Sequence, residues 1–328
     1  MTPSRRHPPL FLALSLLVLA AAPRPGRTAE PRELVILSSA SIQGELEPCG
    51  CKDHPRGGLA HRAAYYAQVR SEHANVVTVD AGDFALPPRD KDAWPVTDFL
   101  SVALGKLRYD AWTPGERELA YGPEVVRQLA TASGAAVVSA NLADGEGRLL
   151  FKPSVIKTIG KLKVGITGVT TADFGQAADT TVAPALRALK YNDTVASLTP
   201  VVAELRKSCD AVILLAHMRA PEARRLARLI PGIDLVVAGH NPPFVPTPER
   251  AGETLLVLVG NRGHYANRMR LKLGERGFVE DYDGLGEPLS ADGPVDSTMV
   301  RAVTAFENAI GRPPGLAVDS EEPAAAPR

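Results

Sequence analysis

From residue 33 the chain alternates short, wholly apolar runs with longer stretches whose apolar positions recur at helical spacing. Residues 34–37 read as a first buried strand, and 59–70 as a helix that places Leu59, Ala63, Tyr66 and Val69 on one side. Residues 76–79 predict a second strand, ending in the turn Asp80-Ala81-Gly82-Asp83, and 96–107 a second helix. A helix over 123–131 opens on Pro123, whose fixed φ suits a first helical turn. Strands follow at 136–139, 154–159 and 163–168. Helix 195–208 then leads into strand 211–215, and helix 221–229 into strand 235–238. Residues 255–259 and 268–273 read as strands paired with each other, and 296–310 as a last helix. All-apolar strands separated by helices predict an α/β sandwich whose sheets are covered on both faces.

Length and composition narrow this reading. The 328 residues, 45% of them hydrophobic, supply one large core or two small ones. Lys plus Arg balance Asp plus Glu at 37 each, and no basic stripe with interleaved aromatics occurs, which argues against a nucleic-acid surface. Arg5, Arg6 and His7 precede an apolar run over 10–22 that is too short to span a bilayer. With Ala22 or Ala29 as the cleavage position, residues 1–29 read as a signal peptide, by a Sec or a twin-arginine route. The mature protein is then expected in the periplasm or secreted, with no stable membrane span. Residues 30–312 are the expected folded domain, and 313–328 a disordered tail rich in Pro and Ala. Three cysteines, Cys49, Cys51 and Cys209, are too few for a disulfide scaffold.

The polar residues are informative in their placement. Asp83, the pair Gly115-Glu116, His217 and the pair Gly239-His240 each follow a predicted strand or the turn beyond one. In α/β sheets ligands bind at the carboxyl ends of the strands, so these groups can meet in one cleft. One Asp, one Glu and two His suit a divalent cation with mixed oxygen and nitrogen ligands.

These motifs carry a family resemblance. Gly57-Gly58-Leu59-Ala60, Val79-Asp80-Ala81-Gly82-Asp83, Ser139-Ala140-Asn141-Leu142, Gly165-Ile166-Thr167-Gly168 and Asp234-Leu235-Val236-Val237-Ala238-Gly239-His240 occur in order. Together they resemble the calcineurin-like metallophosphoesterase domain of the 5′-nucleotidase family over about residues 33–311. The resemblance implies an αββα two-sheet sandwich and two metals bridged by one Asp, with hydrolysis of a phosphate ester between them. Its motifs map unevenly. The Asp-x-His of the first strand falls on Ser41-Ile42-Gln43, and Gly-Asn-His-Glu on Gly115-Glu116-Arg117-Glu118. The Asp that orients the motif's His falls on Ala120, and Gly-His-x-His on Gly239-His240-Asn241-Pro242. Asp83, Glu116, His217 and His240 are thus the full implied ligand set of one metal, while the other loses its ligands at Ser41, Gln43 and Pro242. The expected cofactor is one divalent ion, Zn, Mn or Fe, with the second site lost or rebuilt.

Cys49-Gly50-Cys51 follows the loop where the missing ligands stood, so both thiolates are candidate ligands for a rebuilt site. A redox-active or structural disulfide and a pair of inert thiols are the other readings, and His54 and His61 lie nearby. Arg117 cannot give up its proton near neutral pH, but a fixed guanidinium can hold phosphoryl oxygens. It is the candidate catalytic residue, with simple pairing to Glu116 or Glu118 as the alternative. Two functions remain open. One is a metal-dependent phosphoesterase acting on a small phosphorylated molecule with a one-metal site. The other is a non-catalytic or redox-linked metal-binding protein that uses the cysteine loop. A partner protein is compatible with either.

Overall fold

The structure, a computed structural model, describes residues 32–50, 52, 54–172, 183–274 and 277–312. The expected signal peptide, the expected tail and Cys51 lie outside them. In chain order the first elements are strand β1 (Arg32–Ser39), helix α1 (Leu59–Glu72), strand β2 (Val76–Asp80) and helix α2 (Ala93–Lys106). Strand β3 (Ala111–Trp112), the single turn α3 (Glu116–Leu119), helix α4 (Pro123–Ser133) and strand β4 (Ala136–Val137) follow. Next come β5 (Leu142–Ala143), β6 (Ser154–Ile159), β7 (Leu162–Thr170), α5 (Ala183–Arg187), β8 (Lys190–Tyr191) and α6 (Thr194–Arg206). The last part runs β9 (Ala211–His217), α7 (Ala220–Leu229), β10 (Leu235–Ala238), β11 (Glu249–Ala251), β12 (Thr254–Leu258), β13 (Tyr265–Leu273), β14 (Val279–Pro288) and α8 (Ser297–Ala309).

Two six-stranded sheets form, ordered β14-β13-β1-β2-β3-β4 and β11-β12-β10-β9-β7-β6. The inner strands β1 to β4 run parallel, as do β7, β9, β10 and β12. The period-two alternation of side chains sorts each strand between two cores. Leu34 and Ile36 of β1 and Val77 and Val79 of β2 meet Ile213, Leu215, Leu235 and Val237 between the sheets. Val35 and Leu37 turn the other way, onto Tyr66 of α1, Leu100 of α2 and Met299 of α8. Val212, Leu214 and Ala216 of β9 pack under Leu198 of α6 and Ala223 of α7. The layers are therefore αββα, the sandwich expected from the sequence.

The expected pairing of 255–259 with 268–273 does not occur. Strand β12 lies parallel to β10 in one sheet, and β13 antiparallel to β1 in the other. Between them Gly260, Arg262 and Gly263 all take positive φ. A glycine-rich turn between apolar runs signals a hairpin and a sheet-to-sheet crossing alike, so the local sequence does not separate them. Strand β4 is also shorter than expected. Beyond Val137 the backbone turns to Lys152, whose carbonyl accepts the Ser139 N–H at 2.9 Å.

At the end of β2 a buried polar chain ties the first sheet to α1. Asp80 Oδ2 accepts the Ser39 hydroxyl at 2.5 Å and Oδ1 the Gly82 N–H at 2.8 Å. Ser39 Oγ lies 2.7 Å from the Tyr109 hydroxyl, which lies 3.2 Å from that of Tyr66, and Arg62 Nη1 donates to Tyr66 at 3.1 Å. Burial pushes the Asp80 carboxyl up to about 7, against the pull of its hydrogen bonds. The folded chain thus keeps a proton that the unfolded chain releases above about pH 4, so this group's stabilisation falls as pH rises from about 4 to about 7. Asp80→Asn stays uncharged. Urea unfolding should show the variant gaining about 2–3 kcal/mol relative to wild type between pH 5 and pH 8. Parallel pH profiles for the two proteins would contradict this.

Candidate metal centre

The residues that meet at the centre come from both sheets. Past Val79 the chain turns through Gly82 and Asp83, both at positive φ. Three backbone N–H groups fix this turn by donating to one carboxylate. Glu118 Oε2 accepts from Asp83 and from Gly115, each at 2.9 Å, and Oε1 accepts from Ala85 at 2.8 Å. Glu118 is fully buried and locks the Asp83 turn to α3, which carries Glu116. The Arg117 N–H then donates to Asp83 Oδ1 at 3.0 Å.

The second sheet supplies the imidazoles. In β9, Ala211, Ile213 and Leu215 face the other sheet, and the same alternation brings His217, the last residue of the strand, to that side. Its Nδ1 donates to the Ala81 carbonyl at 2.7 Å, which leaves Nε2 directed at the carboxylates. Nε2 lies 2.5 Å from Glu116 Oε2 and 3.6 Å from Asp83 Oδ2. His240 follows β10 at positive φ, with Nδ1 3.2 Å from each Glu116 oxygen. One ligand atom from each of Asp83, Glu116, His217 and His240 lies within 4.8 Å of all the others.

Glycines make this closeness possible. A Cβ on Gly115 would lie 2.2 Å from Asp83 Oδ1, and one on Gly82 would lie 2.8 Å from His217 Nδ1. The ring of His217 and the carboxylate of Asp83 therefore occupy space that any other residue would fill.

The charges in this small volume are interdependent. Burial works against a charged His217, yet the Asp83 and Glu116 carboxylates push it up to about 10. Burial and the neighbouring Glu116 charge hold the Asp83 carboxyl well above its usual range. Burial opposes ionisation of Glu116 too, but His217 keeps its carboxyl well below the usual range.

The donor set fits a divalent cation. Asp83 Oδ2 is buried and accepts no hydrogen bond, an arrangement that is costly for a carboxylate unless a cation faces it. Two carboxylates and two imidazoles suit borderline ions such as Zn²⁺ and Fe²⁺, and the carboxylates also suit the harder Mn²⁺. Arg117 lines the same corner, its Nε 3.9 Å from Asp83 Oδ2 and its side chain 20% exposed.

The remaining candidates fall elsewhere. Cys49 is disulfide-bonded, so its sulfur is no thiolate ligand in this structure, and Cys51 lies outside the described residues. His61 Nδ1 lies 3.1 Å from the Pro294 carbonyl, which ties α1 to the approach of α8. Neither belongs to the four-residue cluster. Ser41 and Gln43 pack around Asn241 rather than a vacancy. Ser41 Oγ accepts the Asn241 N–H at 3.0 Å, and the Gln43 amide donates to Asn241 Oδ1. The sequence offers Glu118 only as a motif position and a partner for Arg117, not as the group that holds the Asp83 turn. The signal available was its place three residues after Gly115, where a Glu can reach back to the N–H groups before a helical turn.

No family model matches the chain. It is 26% identical over 320 residues to 5′-nucleotidase of Bos taurus and 27% identical over 323 residues to that of Homo sapiens, 88% of this chain in each case. It spans 54% of the length of each, about half of the relatives it matches. Among solved structures, a 5′-nucleotidase precursor from Thermus thermophilus superposes with a TM-score of 0.72 at 22% identity, over 85% of this chain and 59% of that one. A calcineurin-like phosphoesterase, YfkN, from Bacillus subtilis superposes with a TM-score of 0.68 at 20% identity, over 84% of this chain and 97% of that one. These likenesses show the fold.

Two outcomes follow from the geometry. Gly115→Ala drives a methyl into Asp83, and titration with Mn²⁺ should show affinity lowered by about tenfold or more. An unchanged affinity would place the ion elsewhere. Because His217 holds a proton without a cation, binding must release it. Mn²⁺ affinity should rise by up to about tenfold per pH unit from pH 6 to 8, with proton release visible in calorimetry across buffers of different ionisation enthalpy.

Proposed function

We propose that this chain, a homologue of the 5′-nucleotidases with the calcineurin-like metallophosphoesterase fold, is a metal-dependent phosphoesterase working with one divalent cation. The observation that carries this is the convergence of Asp83, Glu116, His217 and His240, whose ligand atoms lie within 4.8 Å of one another and include a buried carboxylate oxygen that accepts no hydrogen bond. A divalent ion there supplies Lewis acidity toward a phosphoryl oxygen and lowers the pKa of a water.

The protein's own groups do the rest. Arg117 carries a permanent positive charge at the mouth of the site and binds the remaining phosphoryl oxygens, offering several N–H groups but no transferable proton. Glu118 and the Ala81 carbonyl hold Asp83 and His217 in place through the bonds described above. Where the family resemblance calls for a second set of ligands, Ser41, Gln43 and Pro242 present only a hydroxyl, an amide and an apolar ring, which are poor substitutes for carboxylate and imidazole. One cation is therefore the working number. The substrate class is a small phosphate ester. The signal-like residues 1–29 support action outside the cytoplasm, and among the described residues no helix is long and apolar enough to cross a membrane.

The disulfide at Cys49 favours a second reading, a non-catalytic metal-binding protein with a redox-linked loop. One experiment separates the two. Purified protein is analysed for metal content and assayed with p-nitrophenyl phosphate and its bis ester, alongside His217→Ala and Arg117→Ala. The phosphoesterase reading expects one equivalent of metal and measurable turnover. His217→Ala should lose both, while Arg117→Ala should keep the metal and lower kcat about a hundredfold. One equivalent of metal with no turnover on any ester would favour the second reading.

A further inference from the structure

Asp83 and His240 stand on loops of different sheets, and both take left-handed backbone conformations, with φ of 63° and 57°. So does Asn241, at 52°. Each such residue costs roughly 1 kcal/mol, so the surroundings must hold these loops in place. No covalent link joins them, and no helix or strand continues from one to the other.

What joins them is the loop after β1. Ser41 is fully buried and meets three separate segments. Its N–H donates to the Gly82 carbonyl at 2.7 Å, and its own carbonyl accepts the Arg262 N–H at 2.6 Å. Its hydroxyl accepts the Asn241 N–H at 3.0 Å. Two residues on, the Gln43 N–H donates to the Asp83 carbonyl at 3.0 Å, while its side-chain amide reaches Asn241 Oδ1. Gly44 N–H adds a third bond to the same turn, at Phe84 O, 2.9 Å. The Arg262 guanidinium returns to this loop, meeting buried Glu45 at 2.6 and 2.9 Å. Three backbone bonds thus fasten the loop to 82–84, and two side chains fasten it to 241.

We infer that Ser41 and Gln43 form a metal-free cross-link that sets the separation of Asp83 from His240, and so the affinity of the centre for its single cation. This rests on the metal-centre reading above and names positioning residues for it. At the positions where the resemblance places ligands of a second ion, neutral hydrogen-bonding groups span the same two loops. Preorganised loops lose less freedom when the cation binds, so breaking the cross-link lowers affinity without changing stoichiometry.

The test is Mn²⁺ titration of the full chain by calorimetry, with melting of the metal-free protein measured alongside. Ser41→Ala should bind one equivalent about tenfold more weakly, and half-buried Gln43→Leu about threefold, with metal-free melting of Gln43→Leu unchanged. Gln43→Leu combined with Asn241→Ala should be no weaker than Asn241→Ala alone, because the two side chains share one bond. Affinities within twofold of wild type in both single variants would overturn the cross-link while leaving the metal centre standing. A second equivalent bound by wild type would also overturn it. Failure of wild type to bind Mn²⁺ at all would overturn both readings together.

Discussion

The Asp83 carboxylate has no contact with solvent, one oxygen held by the Arg117 N–H and the other accepting no hydrogen bond. A buried carboxylate costs several kcal/mol unless its charge is met, and the neighbouring Glu116 adds a second negative group within the same few ångströms. His217 answers part of this by holding a proton in the absence of a cation. The arrangement is then close to neutral, yet it remains receptive to any divalent ion that could replace that proton. The features around it, from the glycines that admit the side chains to the carboxylate that staples the turn, keep that arrangement from relaxing.

Relaxation is prevented at three levels. Parallel strands in both sheets end at the same edge of the sandwich, so the loops carrying ligands have little room to drift. Glu118 takes three backbone N–H groups from two loops, which a single water could not do. The His217 ring is pinned through Nδ1, so rotation to find a better partner would cost a buried hydrogen bond. Binding energy for a cation is in this way stored by the fold before the cation arrives, which is the usual meaning of preorganisation at a metal site.

Much of this was legible in the sequence, and the reason differs by element. Strands such as 211–215 and 235–238 are apolar on both faces because helices cover one side and a second sheet the other, so composition alone marked them. The four-residue cluster was legible because each member sits at or just beyond a strand end, where the direction of the chain fixes the location. His217 was even determined by parity, falling on the inter-sheet phase of β9. The crossing between β12 and β13 was not legible, since it depends on which sheet each apolar run joins and not on the turn that connects them. Glu118 was missed for a similar reason. Its role consists of bonds to N–H groups of Asp83 and Ala85, more than thirty positions away, and no local pattern encodes those partners.

The two corners of the site differ in how their polar groups are satisfied. On the side of the four-residue cluster, Asp83 Oδ2 accepts no hydrogen bond and has His217 Nε2 at 3.6 Å and Arg117 Nε at 3.9 Å. On the other side the Ser41 hydroxyl, the Gln43 amide and the Asn241 amide find one another, and Glu45 finds Arg262. The corner at Ser41, Gln43 and Asn241 is closed by its own hydrogen bonds, while the carboxylates and imidazoles of the other corner gather donors that suit a cation.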